Sequence, residues 1–236
     1  MRAAVLTAPQ TIEIADVPEP EATPGTVVVA IDRCGISGTD LEAFRTGQLP
    51  APAWFGHEWA GRVVEIGEGV EGRFCGERVV GAVPPPCGRC RTCRAGIGEH
   101  CEEALALIVG THPTASATGA FAERIRVHAR RLHRVPDGVD DSGAALAEPA
   151  AVAAHAVSQA QQRVGDLVVV VGAGTIGLLV AELARVAGAA RVLAVDVEPL
   201  RRELACTLGA AAGLAPGPEV ERWLADQGHG LGADVA

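Results

Sequence analysis

Cys87, Cys90, Cys93 and Cys101 stand in the pattern C-x2-C-x2-C-x7-C, on a turn-rich stretch running from Pro84 through Gly88. Four thiols brought together on turns match what a tetrahedral zinc ion takes as ligands. A disulfide pair is the other chemistry open to such cysteines, and it needs an oxidising compartment. A second pattern, Gly172-Ala173-Gly174-Thr175-Ile176-Gly177, follows a run of valines and opens a helical stretch. In this G-x-G-x-x-G, Gly172 makes a tight turn and Gly174 lets the backbone approach a pyrophosphate. Gly177 lets helix and strand pack closely, and the helix start at Thr175 and Ile176 draws phosphates. Asp196 lies 19 residues past Gly177, at the end of the next expected strand, where a carboxylate accepts ribose hydroxyls and favours NAD. Arg201 and Arg202 keep NADP open, because a basic residue there meets a 2′-phosphate. A ligand-free glycine turn with a surface aspartate is the plainer alternative.

The elements that must position these groups fall into two halves. Residues 2–7, 11–16, 26–33, 61–66, 77–83 and 121–128 read as short strands punctuated by glycine and proline, as in an all-β barrel-like domain. A short helical turn is expected from Asp40 to Arg45, and the cysteine lobe, about residues 86–105, interrupts the strands. Near Asp140 the character changes. Residues 141–160 are alanine-rich and read as two helices broken at Pro149. Then Leu167–Val171 reads as a strand buried on both faces, helix 175–187 follows, and strands 191–195 and 211–215 alternate with helices 198–208 and 218–227. This is βαβ order, giving an α/β plus all-β chain with domains 1–149 and 150–236.

Composition narrows the function. Lys plus Arg is 20 against 29 for Asp plus Glu, a net charge of -9, which speaks against nucleic acid as the main partner. The basic run Arg89, Arg91, Arg94 sits among the lobe cysteines and reads as solvated surface. Every basic residue is arginine, and tyrosine is absent. A Schiff-base lysine, a P-loop lysine and a tyrosine–lysine proton pair are therefore excluded within this sequence. Any redox chemistry must hand its proton to a metal or a histidine. The start of the chain lacks a signal peptide's apolar core, and the longest apolar run, 167–181, is shorter than the roughly 20 residues a membrane span needs. No membrane association and a reducing cytoplasm are expected, with Cys34, Cys75 and Cys206 as ordinary buried thiols.

Taken together, these motifs resemble the zinc-dependent medium-chain alcohol dehydrogenases, including their polyol, sugar and threonine dehydrogenase branches. The resemblance runs the length of the chain: Cys34-Gly35-Ile36-Ser37-Gly38-Thr39-Asp40, Gly56-His57-Glu58, the four-cysteine lobe, Glu148-Pro149, His155-Ala156-Val157 and the glycine motif. It implies a GroES-like β domain carrying a structural zinc, a partial Rossmann domain, and an active site in the cleft between them. It also implies a catalytic zinc on His57 with Glu58 and Glu148, a first ligand at the position of Ser37, a proton relay through Thr39, and Asp40 orienting His57. The first ligand in that family is a cysteine, and this chain has Ser37 instead, a poor zinc donor at neutral pH. Cys34, three residues upstream, matches a cysteine that does not ligate. The substrate implied is a small alcohol, polyols and sugars included, and the full-length assembly implied is a homo-oligomer.

Residues Gly232–Ala236 read as the start of a further strand, and family members continue well beyond. The expectation is a fragment or truncated product that leaves the first Rossmann strand as an apolar sheet edge, and that turns over little alone. Two competing readings stand beside the dehydrogenase. One is a non-catalytic dinucleotide-binding protein keeping only the structural zinc. The other is an interaction module built on the zinc lobe.

Overall fold

A computed structural model of the chain describes residues 1–47, 55–82, 86–108, 119–228 and 230–236. The chain divides into two compact units, Met1–Glu148 and Pro149–Ala236.

In the first unit, β1 (Arg2–Ala8) and β2 (Thr11–Asp16) form an antiparallel hairpin. The main sheet is built from β3 (Thr26–Cys34), β4 (Trp59–Ile66), β5 (Arg78–Gly81), β6 (Arg124–His128) and β7 (Leu132–Arg134). Its order is β6-β3-β4-β5-β7, and every pair is antiparallel. Val27, Val29, Val63, Val79, Ile125 and Val127 point to one face and pack around Trp59 as the core. β-branched side chains fit such a pleated surface, and Thr26, Val27, Val28 and Val29 of β3 are all buried, so the start of this strand is covered on both faces. The Trp59 ring lies against Gly81, where an added Cβ would come within 2.3 Å of it. Helix α1 (Gly38–Thr46) follows β3, α2 (Arg91–Arg94) and α3 (Glu102–Ile108) lie in the cysteine lobe, and α4 (Asp141–Ala145) closes the unit.

Several expectations shift here. Strand β7 and helices α2 and α3 were not signalled by periodicity, because each is short and held by its neighbours. The strand expected at 121–128 narrows to β6, with Ala122 making a separate bridge to Ala3. Position 83 of the strand expected at 77–83 lies outside the described residues. Pro149 does not break a helix. It sits inside the first turn of α5 (Ala147–Gln159), where the missing N–H would have had no intrahelical partner, and the break falls at Leu146. Cys75 and Cys206 are exposed and Cys34 is half-buried, so the three are not a set of core thiols.

The second unit is parallel. β8 (Leu167–Val171), β9 (Arg191–Val195) and β10 (Ala212–Leu214) pair in the order β10-β9-β8. Helices α6 (Thr175–Val186), α7 (Pro199–Thr207) and α8 (Pro218–Gln227) alternate with them. Val168, Val170 and Val192 pack with Ala181 and Ala184 of α6. Val169, Leu193 and Val195 face the other way, with Trp223 and Leu224 of α8 against them. Burial on both faces explains the unbroken apolar run of β8. The edge of β8 is not left bare. Val235 bridges Val168 in parallel, the Val169 N–H donates to the Val235 carbonyl at 2.8 Å, and the Asp234 carboxylate accepts the Leu167 N–H at 2.8 Å. Among the described residues no helix is long and apolar enough to cross a membrane.

Trp59→Ala would empty the centre of the β core. We expect a loss of about 3–5 kcal/mol, the usual range for a buried aromatic truncated to alanine, read by denaturant unfolding.

Candidate metal centres and dinucleotide site

The cysteine lobe is shaped by turns and by its own sulfurs. Gly88 takes φ 75, a left-handed turn suited to glycine. Cys90 caps α2, its Sγ accepting the Cys93 N–H at 3.5 Å. The Cys87 N–H donates to Cys101 Sγ at 3.3 Å, the Cys90 N–H to Cys87 Sγ at 3.4 Å, and the Ala104 N–H to Cys101 Sγ at 3.4 Å. The four sulfurs lie within 4.8 Å of one another, with Cys87–Cys93 and Cys90–Cys101 each at 4.0 Å. Zinc with ligands at about 2.3 Å in a tetrahedron needs sulfurs roughly 3.8 Å apart, so the donor set fits the ion. None of the four is in a disulfide. The protons are unevenly held. The Thr92 hydroxyl and the Cys93 N–H bring the Cys90 thiol down to about 6, and N–H groups of Cys87 and Ala104 lower Cys101. Burial, then Cys90, pushes Cys93 up to about 12.

A second cluster forms where α1, the turn before β4 and the start of α5 supply one group each or more. Ser37 is the N-cap of α1. Its Oγ accepts the Asp40 N–H at 3.0 Å and donates to Asp40 Oδ2 at 2.8 Å, while its own N–H donates to Oδ2 at 2.9 Å. Asp40 Oδ1 accepts the Gly56 N–H at 3.1 Å and lies 3.7 Å from His57 Nδ1, longer than a hydrogen bond and close enough to orient the ring electrostatically. Gly56 has φ 95, and a Cβ on it would meet Phe121 N at 2.9 Å and Cys34 Sγ at 3.1 Å, so no larger residue fits this turn. Glu58 is buried, with its carboxylate beside Gly35, where an added Cβ would come within 2.5 Å of Oε2. Glu148 stands in the first turn of α5.

Ligand atoms of His57, Glu58 and Glu148 lie within 4.8 Å of one another. One imidazole and two carboxylates fit a divalent cation such as zinc with a position left for another ligand. Burial raises the Glu58 carboxyl, His57 pulls it down, and Glu148 and Asp40 push it up again. Thr39 is exposed on the first turn of α1. Cys34 is not part of the cluster. Its Sγ faces the Gly35 carbonyl at 3.5 Å, and burial, then Asp40 and Glu58, push the thiol up to about 12. Ser-x-x-Asp before a helix carries the signal of the Ser37–Asp40 capping box. The packing of Gly35 on Glu58 has no local signal. Of the remaining histidines, His112 and His229 lie outside the described residues.

The glycine motif joins β8 to α6. Gly172 turns at φ 95, and a Cβ on Gly177 would sit 1.8 Å from the Gly172 carbonyl oxygen, so only glycine allows helix and strand this close. At Gly174, the N-cap of α6, a Cβ would meet nothing within 4 Å, and no side chain caps the helix. The first N–H groups of α6, from Thr175 and Ile176 onward, are thus without intrahelical partners, as in a phosphate cradle. Asp196 is buried at the end of β9, its Oδ2 accepting the Ala173 N–H at 2.7 Å and its Oδ1 the Glu198 N–H at 2.8 Å. The Glu198 and Ala173 N–H groups, with Arg201, hold its carboxyl below the usual range. The two arginines separate. Arg202 donates to the carbonyls of Asp196 and Val197, while the exposed Arg201 lies 3.6 Å from the Asp196 carboxylate.

Comparison with known proteins agrees with this geometry. Residues 23–137 match the Alcohol dehydrogenase GroES-like domain family. The chain is 36% identical over 215 residues to an L-threonine 3-dehydrogenase of Sinorhizobium medicae, covering 89% of this chain and 60% of that one. It therefore spans about 60% of the length of that curated relative. Among solved structures it resembles the alcohol dehydrogenase of Thermus sp. ATN1, with a TM-score of 0.85 and 31% identity over 99% of this chain and 69% of that one. It also resembles the 2R,3R-butanediol dehydrogenase of Bacillus subtilis, with a TM-score of 0.81 and 33% identity over 96% and 67% of the two chains. A β domain with a four-thiol lobe, followed by a parallel sheet with a glycine fingerprint, defines a dehydrogenase-type scaffold. The chain belongs to the zinc-dependent medium-chain alcohol dehydrogenase family.

Two expectations follow. Zinc binds the lobe as thiolate, so loading at neutral pH must release the proton that Cys93 holds below about 12, and acid must weaken binding. Calorimetry of zinc loading in buffers of different ionisation enthalpy reads that proton, and Cys93→Ser should lose it. At Glu58 the native carboxyl is raised, so before metal is added the native state keeps a proton that the unfolded chain has released. Stability then falls as pH rises through the Glu58 titration, from the ordinary carboxyl range upward. Glu58→Gln should flatten that slope in metal-free denaturant melts taken at a series of pH values.

Proposed function

We propose that this protein is a zinc-dependent oxidoreductase that moves a hydride between the CH–OH group of a small alcohol, polyols and sugars included, and NAD or NADP. The observation that carries the reading is the convergence of His57, Glu58 and Glu148 in the same unit as the four-cysteine lobe. Residues 1–149 act as the GroES-like catalytic domain and 150–236 as part of the Rossmann cofactor domain. Membership of the dehydrogenase family and the threonine and butanediol dehydrogenase relatives support the substrate class.

Zinc at the His57 cluster supplies Lewis acidity toward a hydroxyl oxygen, and the nicotinamide supplies the hydride acceptor. His57, Glu58 and Glu148 hold the cation and leave one position open. Asp40, fixed by Ser37 and Gly56, sets the ring orientation of His57. Thr39, exposed beside Asp40 in the first turn of α1, passes the proton toward solvent; the sequence has no lysine or tyrosine to take that role. Cys87, Cys90, Cys93 and Cys101 hold a structural zinc. Gly172, Gly174, Thr175, Ile176 and Gly177 take the pyrophosphate. Asp196 keeps lone pairs for the ribose hydroxyls beyond its two backbone bonds, and Arg201 beside it meets a 2′-phosphate when NADP is the cofactor. A homo-oligomer in the cytoplasm completes the reading.

One observation favours a second reading. Ser37 stands where the family places a thiolate ligand, and a protein without that sulfur could bind dinucleotide while holding only the structural zinc.

Elemental mass spectrometry on protein purified without chelator, run beside NAD(P) reduction with a panel of secondary alcohols and polyols, separates the two. Two zinc ions per chain are expected, with alcohol-dependent reduction from the full-length protein, and one zinc ion per chain would move the conclusion to the binding protein. Asp40→Asn should lower metal affinity at the His57 cluster by about 10–100-fold, as loss of a partner behind a ligating histidine does.

A further inference from the structure

The turn from β9 into α7 is followed by two adjacent arginines that do different things. Arg201 is exposed, with its guanidinium 3.6 Å from Asp196 Oδ2. Arg202 is half-buried, and its Nη1 donates to two successive carbonyls, those of Asp196 at 2.8 Å and Val197 at 2.9 Å. The second bond acts beyond the carbonyl it meets. The Val197 carbonyl and the Glu198 N–H belong to one planar trans peptide unit and point in opposite directions. Holding the carbonyl toward Arg202 turns the N–H the other way, and that N–H donates to Asp196 Oδ1 at 2.8 Å. Glu198, the N-cap of α7, makes no side-chain cap bond, so the turn has no help from its own cap. The backbone of Arg202 is itself held: a Cβ on Gly213 of β10 would come within 2.5 Å of the Arg202 carbonyl oxygen, which leaves the helix no room to shift toward the strand.

Resting on the dinucleotide reading of this unit, we infer that Arg202 is the positioning residue for ribose recognition. By fixing the Val197–Glu198 peptide it holds Asp196 in the pose that accepts the adenosine 2′-hydroxyl. Nη1 carries two hydrogens and gives both to carbonyls, so Arg202 belongs to the turn, and a 2′-phosphate falls to Arg201 alone. Two arginines that are equivalent as neighbours in the sequence thus divide into one that shapes the site and one that faces the ligand.

The test is titration calorimetry of the purified chain with ADP, 2′-deoxy-ADP and adenosine 2′,5′-bisphosphate. It is repeated on Arg202→Met, Arg202→Lys and Arg201→Met, each checked for folding by its thermal melt. The parent should prefer ADP over 2′-deoxy-ADP by about 10–100-fold, as the loss of a hydrogen bond to a charged group implies. Arg202→Met should bring that preference close to parity by weakening ADP alone, with 2′-deoxy-ADP bound as in the parent. Arg202→Lys, which keeps a charged donor on a long stem, should recover part of it. Arg201→Met should keep the preference and lose affinity only for the 2′,5′-bisphosphate. An unchanged preference in Arg202→Met would overturn the inference, and so would equal weakening of both diphosphates, the mark of an arginine that serves stability only. If Arg202→Met does not fold, Arg202→Gln, shorter and uncharged, gives the same comparison. A parent that binds ADP and 2′-deoxy-ADP alike also overturns the inference, together with the ribose role of Asp196. A parent that binds none of the three nucleotides strikes the dinucleotide reading itself, and is told apart because the failure appears before any substitution.

Discussion

A carboxylate withdrawn from water is costly unless donors meet it, and the candidate metal site of the β unit is organised around one such group. Asp40 is 3% exposed and accepts the Ser37 N–H, the Ser37 hydroxyl and the Gly56 N–H. Those bonds fasten the start of α1 to the turn that precedes β4. Gly56, at φ 95 and with no room for a Cβ, turns the chain so that His57 comes beside the same carboxylate and Glu58 enters the interior next to Gly35. The position of the histidine, the burial of the glutamate and the cap of the helix thus share one cause. An interaction that first looks like local helix chemistry also decides which atoms are free to hold a metal.

The two metal centres obtain their geometry by different routes. In the lobe the ligands are neighbours in sequence, and the short helices α2 and α3 hold N–H groups against the sulfurs. A four-residue helix has too few bonds to stand alone, and a structural zinc held by such thiolates would contribute about 10–16 kcal/mol of folding free energy. The His57 cluster instead joins residues 57 and 58 to residue 148, far away in the chain, and of the three only Glu58 is buried.

In the parallel unit Asp196 plays a part similar to that of Asp40. Its two oxygens tie the glycine turn at Ala173 to the exit of β9 at Glu198, and Arg202 caps the carbonyls beside it. The residue that would read the ribose is therefore also a strut of the loop that would cradle the pyrophosphate. Because backbone N–H groups hold the carboxyl charged, removing it would disturb both duties at once.

Features that depend on residues close together in the chain could be read directly. The four-cysteine cluster, the glycine fingerprint with its acidic partner, and the change from short strands to βαβ order are carried by spacing and periodicity, which act over a few residues. What needed the folded chain depends on contacts between distant segments. Pro149 turned out to lie within a helix because its missing N–H falls in the first turn, and Cys75 and Cys206 lie at the surface. Val235 came to lie on the edge of β8, and Ser37 is bonded to Asp40. The chain's motifs were enough to name candidate donors and the class of cofactor. Which donors meet, and which are already bonded to something else, was settled by packing, because a polar atom's partner in the interior is whatever group the fold brings within hydrogen-bonding distance.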